Sequence, residues 1–267
     1  MSAPIIARQR TILEIARRKG RVDVDELAAR LSVTPQTIRK DLNDLSSQNL
    51  ISRVHGGAIV SSSVENLSYE ARRRIAEVEK QAIGKAAAAL IPDQASLFIN
   101  IGTTTEEVAR ELAHRSDLLV ITNNLNVVDI LCRNRNIEVI VAGGRVRHSD
   151  RAAVGASAVE FISHFKVDFA VIGASAIDED GSLLDFDLSE VQVSQAILHN
   201  SRSVILVADS EKLGRPAPVR IGHMSEIDIF VTDRLSSTPL KLVCETHGVQ
   251  IVEALPFPPV ESNADES

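Results

Sequence analysis

Two hydrophobic rhythms divide the chain. Through the first fifty residues, apolar positions recur at helical spacing: Ile5, Ile12, Leu13 and Ala16, then Leu27, Ala28 and Leu31, then Ile38, Leu42 and Leu45. At about 100° per residue each set forms one stripe, which predicts three amphipathic helices. From Ala82 onward, helical stretches alternate with short, nearly all-apolar runs: "SLFINI", "LLVITN", "EVIVAG", "DFAVIGA", "SVILVA" and "IDIFVTD", with "VQIVEA" as a candidate seventh. Strands that are apolar on both faces and separated by helices predict an α/β body around a mostly parallel sheet.

Capping and turn residues sharpen the first half. Gly20 closes the first helix, and Asp23 stands three residues before Glu26 as in a capping box. Thr34 and Pro35 open a third helix that runs to about Ser47. Two helices joined by a tight turn describe a helix-turn-helix. Opposite its apolar stripe the third helix presents Gln36, Lys40 and Asn43, flanked by Thr37 and Arg39. These side chains suit base edges and phosphates. Behind them, in "LISRVHGGAIV", two β-prone runs flank His55-Gly56-Gly57. The hairpin reads as the wing of a winged helix, with Arg53 and His55 placed for backbone contact, or else as a plain connection. With the capping Thr34, these residues form the predicted DNA-binding set.

Charge agrees with this division. The chain carries a net −7, yet residues 1–60 hold ten Lys/Arg against six Asp/Glu. That asymmetry predicts a basic, DNA-binding module on an acidic body. The expected boundaries are 1–60 for the module, 61–78 for a linker and 79–255 for the body, followed by a Pro-rich, acidic tail, 256–267, expected to be disordered. In the linker, Arg72, Arg73 and Arg74 read as a solvated face, the alternative being a phosphate-contact or intersubunit patch.

Candidate chemistry in the body lies after its strands, where ligands of such sheets bind. In "INIGTTTEEVARELA", Gly102 turns a buried strand into a helix, and Thr103, Thr104 and Thr105 offer hydroxyls beside amides that lack a helical acceptor. Such a helix start favours an anion, phosphate above all. Other strand ends bring Asn123 and Asn124, Gly143 and Gly144, Ser175, and, in "ADSEKLG", Lys212 as a cation for the same anion.

A family resemblance follows from these stretches. "LSVTPQTIRKDLNDLSSQNLISRVHGGA" resembles the DNA-binding signature of the DeoR family of bacterial repressors, with Lys40 where that family usually has a second Arg. Lys holds a phosphate but lacks the planar fork for bidentate base contact. "LFINIGTTTEEVA", "ITNNLNVV", "VAGG", "FAVIGASAIDEDGSLLDFDLSEV" and "ADSEKLGR" resemble the effector domain of the same family, which is similar in fold to ribose-5-phosphate isomerases. The resemblance spans about residues 8–250. It implies a repressor released from operator double-stranded DNA by glycerol 3-phosphate or a related phosphorylated polyol or sugar. On this reading Thr103, Thr104, Thr105 and Lys212 take the phosphate, while Asn123, Asn124, Asp187 and Glu190 take hydroxyls. A dimer or tetramer is expected, because a two-fold protein matches a palindromic operator. Where the isomerases carry acids in "DGADE", this chain reads "VIGASA", with Ile172 and Ser175 at those positions. That part of the proton-transfer machinery is absent, so a sensor rather than an enzyme is expected.

Several classes fall away. Cys132 and Cys244 are far apart and form no CxxC, which fits a reducing cytoplasm. No apolar run approaches the roughly 18–20 residues that span a bilayer, and the N-terminus lacks the order of a secretion signal. GxGxxG, HExxH and GxSxG do not occur, so neither a nicotinamide cofactor, a metal nor a catalytic residue is expected.

Overall fold

A computed structural model describes residues 6–19, 21–47, 50–54, 57–59 and 69–255. Ile5, Gly20, His55, Gly56, the first part of the expected linker and the expected tail lie outside the described residues.

The N-terminal unit runs α1 (Ala7–Lys19), β1 (Arg21–Asp23), α2 (Val24–Arg30), α3 (Pro35–Ser47), β2 (Ser52–Val54) and β3 (Gly57–Ile59). Asp23 caps α2 by accepting the amides of Asp25 and Glu26. Thr34 caps α3 by accepting the Thr37 amide at 3.2 Å. The three stripes close on one core, in which Ile12, Leu27, Ile38, Leu42 and Leu45 are at most 1% exposed. β1 escapes the sequence pattern, because three residues carry no periodicity. It adds to the hairpin in the order β1-β3-β2, antiparallel throughout. Gly57 permits this approach: a Cβ there would stand 2.0 Å from the Val22 carbonyl oxygen. Helix-turn-helix and three-stranded wing together make a winged helix.

Two helices, α4 (Tyr69–Arg74) and α5 (Glu77–Ala89), lead into the body. Ala76, left-handed at φ +51°, separates them. The linker expected over 61–78 is therefore helical from Tyr69, and Ile75 packs against the N-terminal core.

The first half of the body holds β4 (Ser96–Ile99), α6 (Thr103–Leu112), β5 (Leu118–Thr122), α7 (Leu125–Leu131) and β6 (Ile137–Val141). A hairpin of β7 (Arg145–Arg147) and β8 (Ala152–Val154) leads to α8 (Ala156–Ser163), β9 (Val167–Ile172), β10 (Ala176–Ile177), β11 (Ser182–Asp185) and α9 (Leu188–His199). β12 (Ser201–Val207), β13 (Val219–His223), β14 (Ile229–Thr232), α10 (Thr238–His247) and β15 (Gln250–Glu253) complete it.

All seven expected strands join one sheet, β15-β14-β12-β9-β4-β5-β6, in which every pair is parallel. Leu97, Ile99, Val120, Val171, Ile205 and Val231 share a core with the apolar residues of α5, α6 and α7. Their alternates Phe98, Ile121, Ile172, Leu206 and Phe230 share another with α8, α9 and α10. Burial on both faces is why the runs read as continuously apolar. The order reverses at β4: the chain moves outward through β5 to β6, then returns with β9 on the other flank. Connections leaving β4 and β9 diverge, and the crevice between them is the topological switch point. Among the described residues no helix is long and apolar enough to cross a membrane.

Candidate functional site

A small cleft opens at this switch point. Residues Ile101 to Thr105 line it after β4 and Gly173 to Ser175 after β9, joined by Asp185, Glu190, Lys212 and, from α4, Arg72. Gly102 has φ +149°, a backbone setting that side-chain-bearing residues rarely adopt, and it opens α6. The Thr105 hydroxyl, 2.8 Å from the carbonyls of both Asn100 and Gly102, holds the turn in place. Thr105 therefore builds the loop, while Thr103 and Thr104 stand in the first turn of α6, where amides lack helical acceptors. The cleft thus holds a helix start whose first amides lack helical acceptors, with Asp185 and Glu190 beside it.

Burial governs the charges. It pulls the Lys212 ammonium well below its ordinary range, against the opposing pull of Asp209. It raises the Asp185 carboxyl. Glu190 is pushed up to about 8, first by burial and then by neighbouring Asp185, with Arg147 opposing. A protonated acid can donate to a ligand oxygen as well as accept from a hydroxyl.

Other expected ligand residues serve the scaffold. Asn123 is wholly buried, and its amide donates to the Ala153 carbonyl at 3.1 Å, pinning β8. Asn124 caps α7 through the Asn126 amide and donates to Glu106. Asp187 caps α9 through the Ser189 and Glu190 amides and accepts from Arg147 at 2.7 Å. Gly143 and Gly144 are exposed beyond β6 and do not line the cleft. A strand-end Asn or Asp is equally suited to capping the next helix, and here that use prevails.

Three residues outside the expected set shape the site. Arg147, from β7, binds Asp150, Asp187 and Glu190 together. Arg72 is not part of a solvated face: its side chain is 14% exposed and lines the cleft, whereas Arg73 and Arg74 are exposed. Lys80, 2% exposed, donates to the carbonyls of Arg72 and Ile75 and lies 4.0 Å from Asp209. It satisfies carbonyls at the end of α4 that have no helical donor. Its sequence signal was available, since Lys80 shares a stripe with Ile83, Gly84 and Ala87.

In the winged helix, Gln36, Arg39, Lys40 and Asn43 are exposed on α3, as is Thr34 before it. Thr37 is half-buried with its hydroxyl 2.9 Å from that of Thr34. The polar side of α3 thus faces outward while Ile38, Leu42 and Leu45 face the core. Arg53 stands on β2, paired with Ala58 in the wing, and His55 lies outside the described residues.

Family comparison places both units. Residues 8–64 match the DeoR-like helix-turn-helix domain, and residues 75–234 match the DeoR C terminal sensor domain. The glycerol-3-phosphate regulon repressor of Escherichia coli (strain K12) is 43% identical over 244 residues, 91% of this chain and 97% of that protein. The HTH-type transcriptional repressor CsqR of the same organism is 39% identical over 90% of this chain and 92% of its own. A solved ribose 5-phosphate isomerase A from Methanocaldococcus jannaschii shares 18% identity at a TM-score of 0.40, over 52% of this chain and 55% of that one, a likeness too remote to argue from. Both sequence relatives are transcriptional regulators, not enzymes. With residues 8–64 and 75–234 matching these two domains, the chain belongs to the DeoR family of helix-turn-helix transcriptional regulators.

Proposed function

We propose that this chain is a repressor whose hold on operator DNA is released by glycerol 3-phosphate. The observation that carries the reading is one cleft in which the α6 start, with Thr103 and Thr104, stands beside Lys212, Asp185 and Glu190. The α6 start takes the phosphate, whose negative charge favours the protonated form of Lys212 against burial, and the two acids and Ser175 meet the hydroxyls; Asn123, Asn124 and Asp187 hold the loops that shape the cleft. The name of the 43% identical relative supports glycerol 3-phosphate as the effector. Thr34, Gln36, Thr37, Arg39, Lys40, Asn43, Arg53 and His55 contact the operator. The protein acts in the cytoplasm as a dimer or tetramer, so that two recognition helices reach half-sites a turn apart. Release requires that effector and operator prefer different arrangements, and each then weakens the other by the same factor.

Titrating the protein–operator complex with glycerol 3-phosphate, fructose 1-phosphate and ribose 5-phosphate tests this. Glycerol 3-phosphate should dissociate the complex at the lowest concentration, and a complex indifferent to all three would end the proposal. Release by a phosphosugar at lower concentration would select the second reading, a DeoR-type regulator of another pathway.

A further inference from the structure

α4, the helix next after the DNA-binding module among the described residues, is fastened to the cleft at both ends. At its start the Tyr69 hydroxyl donates to Glu106 at 2.6 Å, in the first turn of α6. At its end Lys80 holds the carbonyls of Arg72 and Ile75, and the same ammonium faces Asp209, three residues before Lys212. Ile75 in turn packs on the core of the winged helix. Between these fastenings Arg72 reaches into the cleft beside the threonines and Lys212.

Arg72 is incompletely matched there. Its Nε is buried with no hydrogen-bond partner, and Nη2 lies 3.6 Å from Asp150, beyond a good hydrogen bond. Buried guanidinium donors are nearly always met, so an unmet one beside a helix start and a lysine marks a position for an anion. Asp150 is already bound by Arg147 at 2.6 Å, which leaves Arg72 the weaker of its two partners.

We propose that Arg72 binds the anionic group of the effector, so that α4 carries occupancy of the cleft to the DNA-binding module. The inference rests on the effector reading above and adds to it both a ligand residue and the element that transmits the signal. An arginine contributed by the segment next to the winged helix makes that segment part of the bound state. Ordering α4 then changes the footing on which Ile75 meets the DNA-binding core.

The experiment is done on the full chain. Isothermal calorimetry with glycerol 3-phosphate should show at least a tenfold loss of affinity in Arg72→Gln and partial recovery in Arg72→Lys, whose point charge replaces the fork. Arg73→Gln, on the exposed side of the same helix, should bind as the parent does. In the unmutated protein, saturating glycerol 3-phosphate should slow amide exchange across residues 69–76. Parental affinity in Arg72→Gln, or unchanged exchange in that segment, overturns the inference while leaving the effector reading intact. Should Arg72→Gln fail to fold, the affinity of Arg72→Lys and the exchange measurement decide. If the unmutated protein binds neither glycerol 3-phosphate, fructose 1-phosphate nor inorganic phosphate, the effector reading fails first and this one with it.

Discussion

Arg147 and Glu190, 43 residues apart in sequence, meet at 2.5 Å, and the same guanidinium lies 2.6 Å from Asp150 and 2.7 Å from Asp187. One side chain thereby fixes the β7–β8 hairpin against the start of α9. It also ties Glu190, in the cleft lining, to two acids that lie outside that lining, Asp150 and Asp187. Asp187 is 39% exposed and gains little from the pairing, while the Glu190 and Asp150 side chains are 12% and 6% exposed.

Removing that guanidinium should therefore destabilise the body. For Arg147→Ala we expect a loss of about 1–3 kcal/mol, set by buried Glu190 losing its guanidinium and buried Asp150 keeping only the weaker Arg72 contact at 3.6 Å, and softened by protonation of Glu190. Arg147→Lys should restore only part, because an ammonium cannot bridge three carboxylates in a planar fork. Urea denaturation of the full chain at neutral pH measures both. A change under about 0.5 kcal/mol would reduce Arg147 to a surface contact.

If Glu190 meets the effector as proposed, binding should depend on pH. With its carboxyl at about 8, raised by burial and by Asp185, it is mainly protonated at neutral pH. As pH rises past 8 the cleft gains a negative charge and repels phosphate. Below about 6 the phosphate loses its own second charge. Calorimetry from pH 5.5 to 9 should therefore find the affinity for glycerol 3-phosphate highest near pH 7. Glu190→Gln should reduce the alkaline fall, leaving the part due to Lys212, whose charged form burial also disfavours, and keep the acid one. Stability follows the same sign. A folded-state value above the unfolded one makes Glu190 oppose folding increasingly from about pH 4 up to 8, so Glu190→Gln should gain most in stability above pH 8. Equal pH profiles for parent and variant would remove Glu190 from the cleft's electrostatics.

What the sequence disclosed and what it hid divide along physical lines. The seven parallel strands were legible because each is apolar on both faces, and α2 and α3 because Asp23 and Thr34 cap them as their positions imply. β7, β8, β10, β11 and β13 were not, since runs of two to five residues are too short to carry a period. In the cleft lining, the positions of Thr103, Thr104 and Lys212 follow from their place after strands. The contact of Arg147 with Glu190 leaves no local trace, because it is set by how the hairpin packs on α9. Arg72 was obscured by Arg73 and Arg74, which share its composition but not its burial.

A second tie lies behind the recognition helix. Asp41, 3% exposed, accepts from Arg8 Nε at 2.6 Å and Nη2 at 3.2 Å, and from Gln9 at 3.4 Å. It locks α3 to α1 from the face opposite the exposed polar side chains. Asp41→Ala should cost the winged helix about 1–3 kcal/mol and loosen the tilt of α3. Operator affinity should then fall with little change in effector affinity. Circular dichroism melts of the full chain and a fluorescence-anisotropy titration check the two halves. Parental operator affinity in a destabilised Asp41→Ala would separate that tie from recognition.

Lys40 and Gln36 should part company on DNA. Both are exposed on α3, but an ammonium without a planar fork holds a phosphate, whereas a Gln amide can pair with adenine. Each phosphate contact releases condensed counterions and adds about 0.9 to the slope of log affinity against log salt. Lys40→Ala should therefore weaken binding to all sequences alike and flatten that slope by about one. Gln36→Ala should leave the slope unchanged and relax preference at one operator base pair, by about 1–3 kcal/mol of lost discrimination. Anisotropy titrations at four salt concentrations, on the operator and on single-base variants of it, separate these outcomes. If Lys40→Ala changes base preference and spares the slope, the lysine reads a base, and the departure from the usual Arg at this position becomes a specificity difference rather than a phosphate contact.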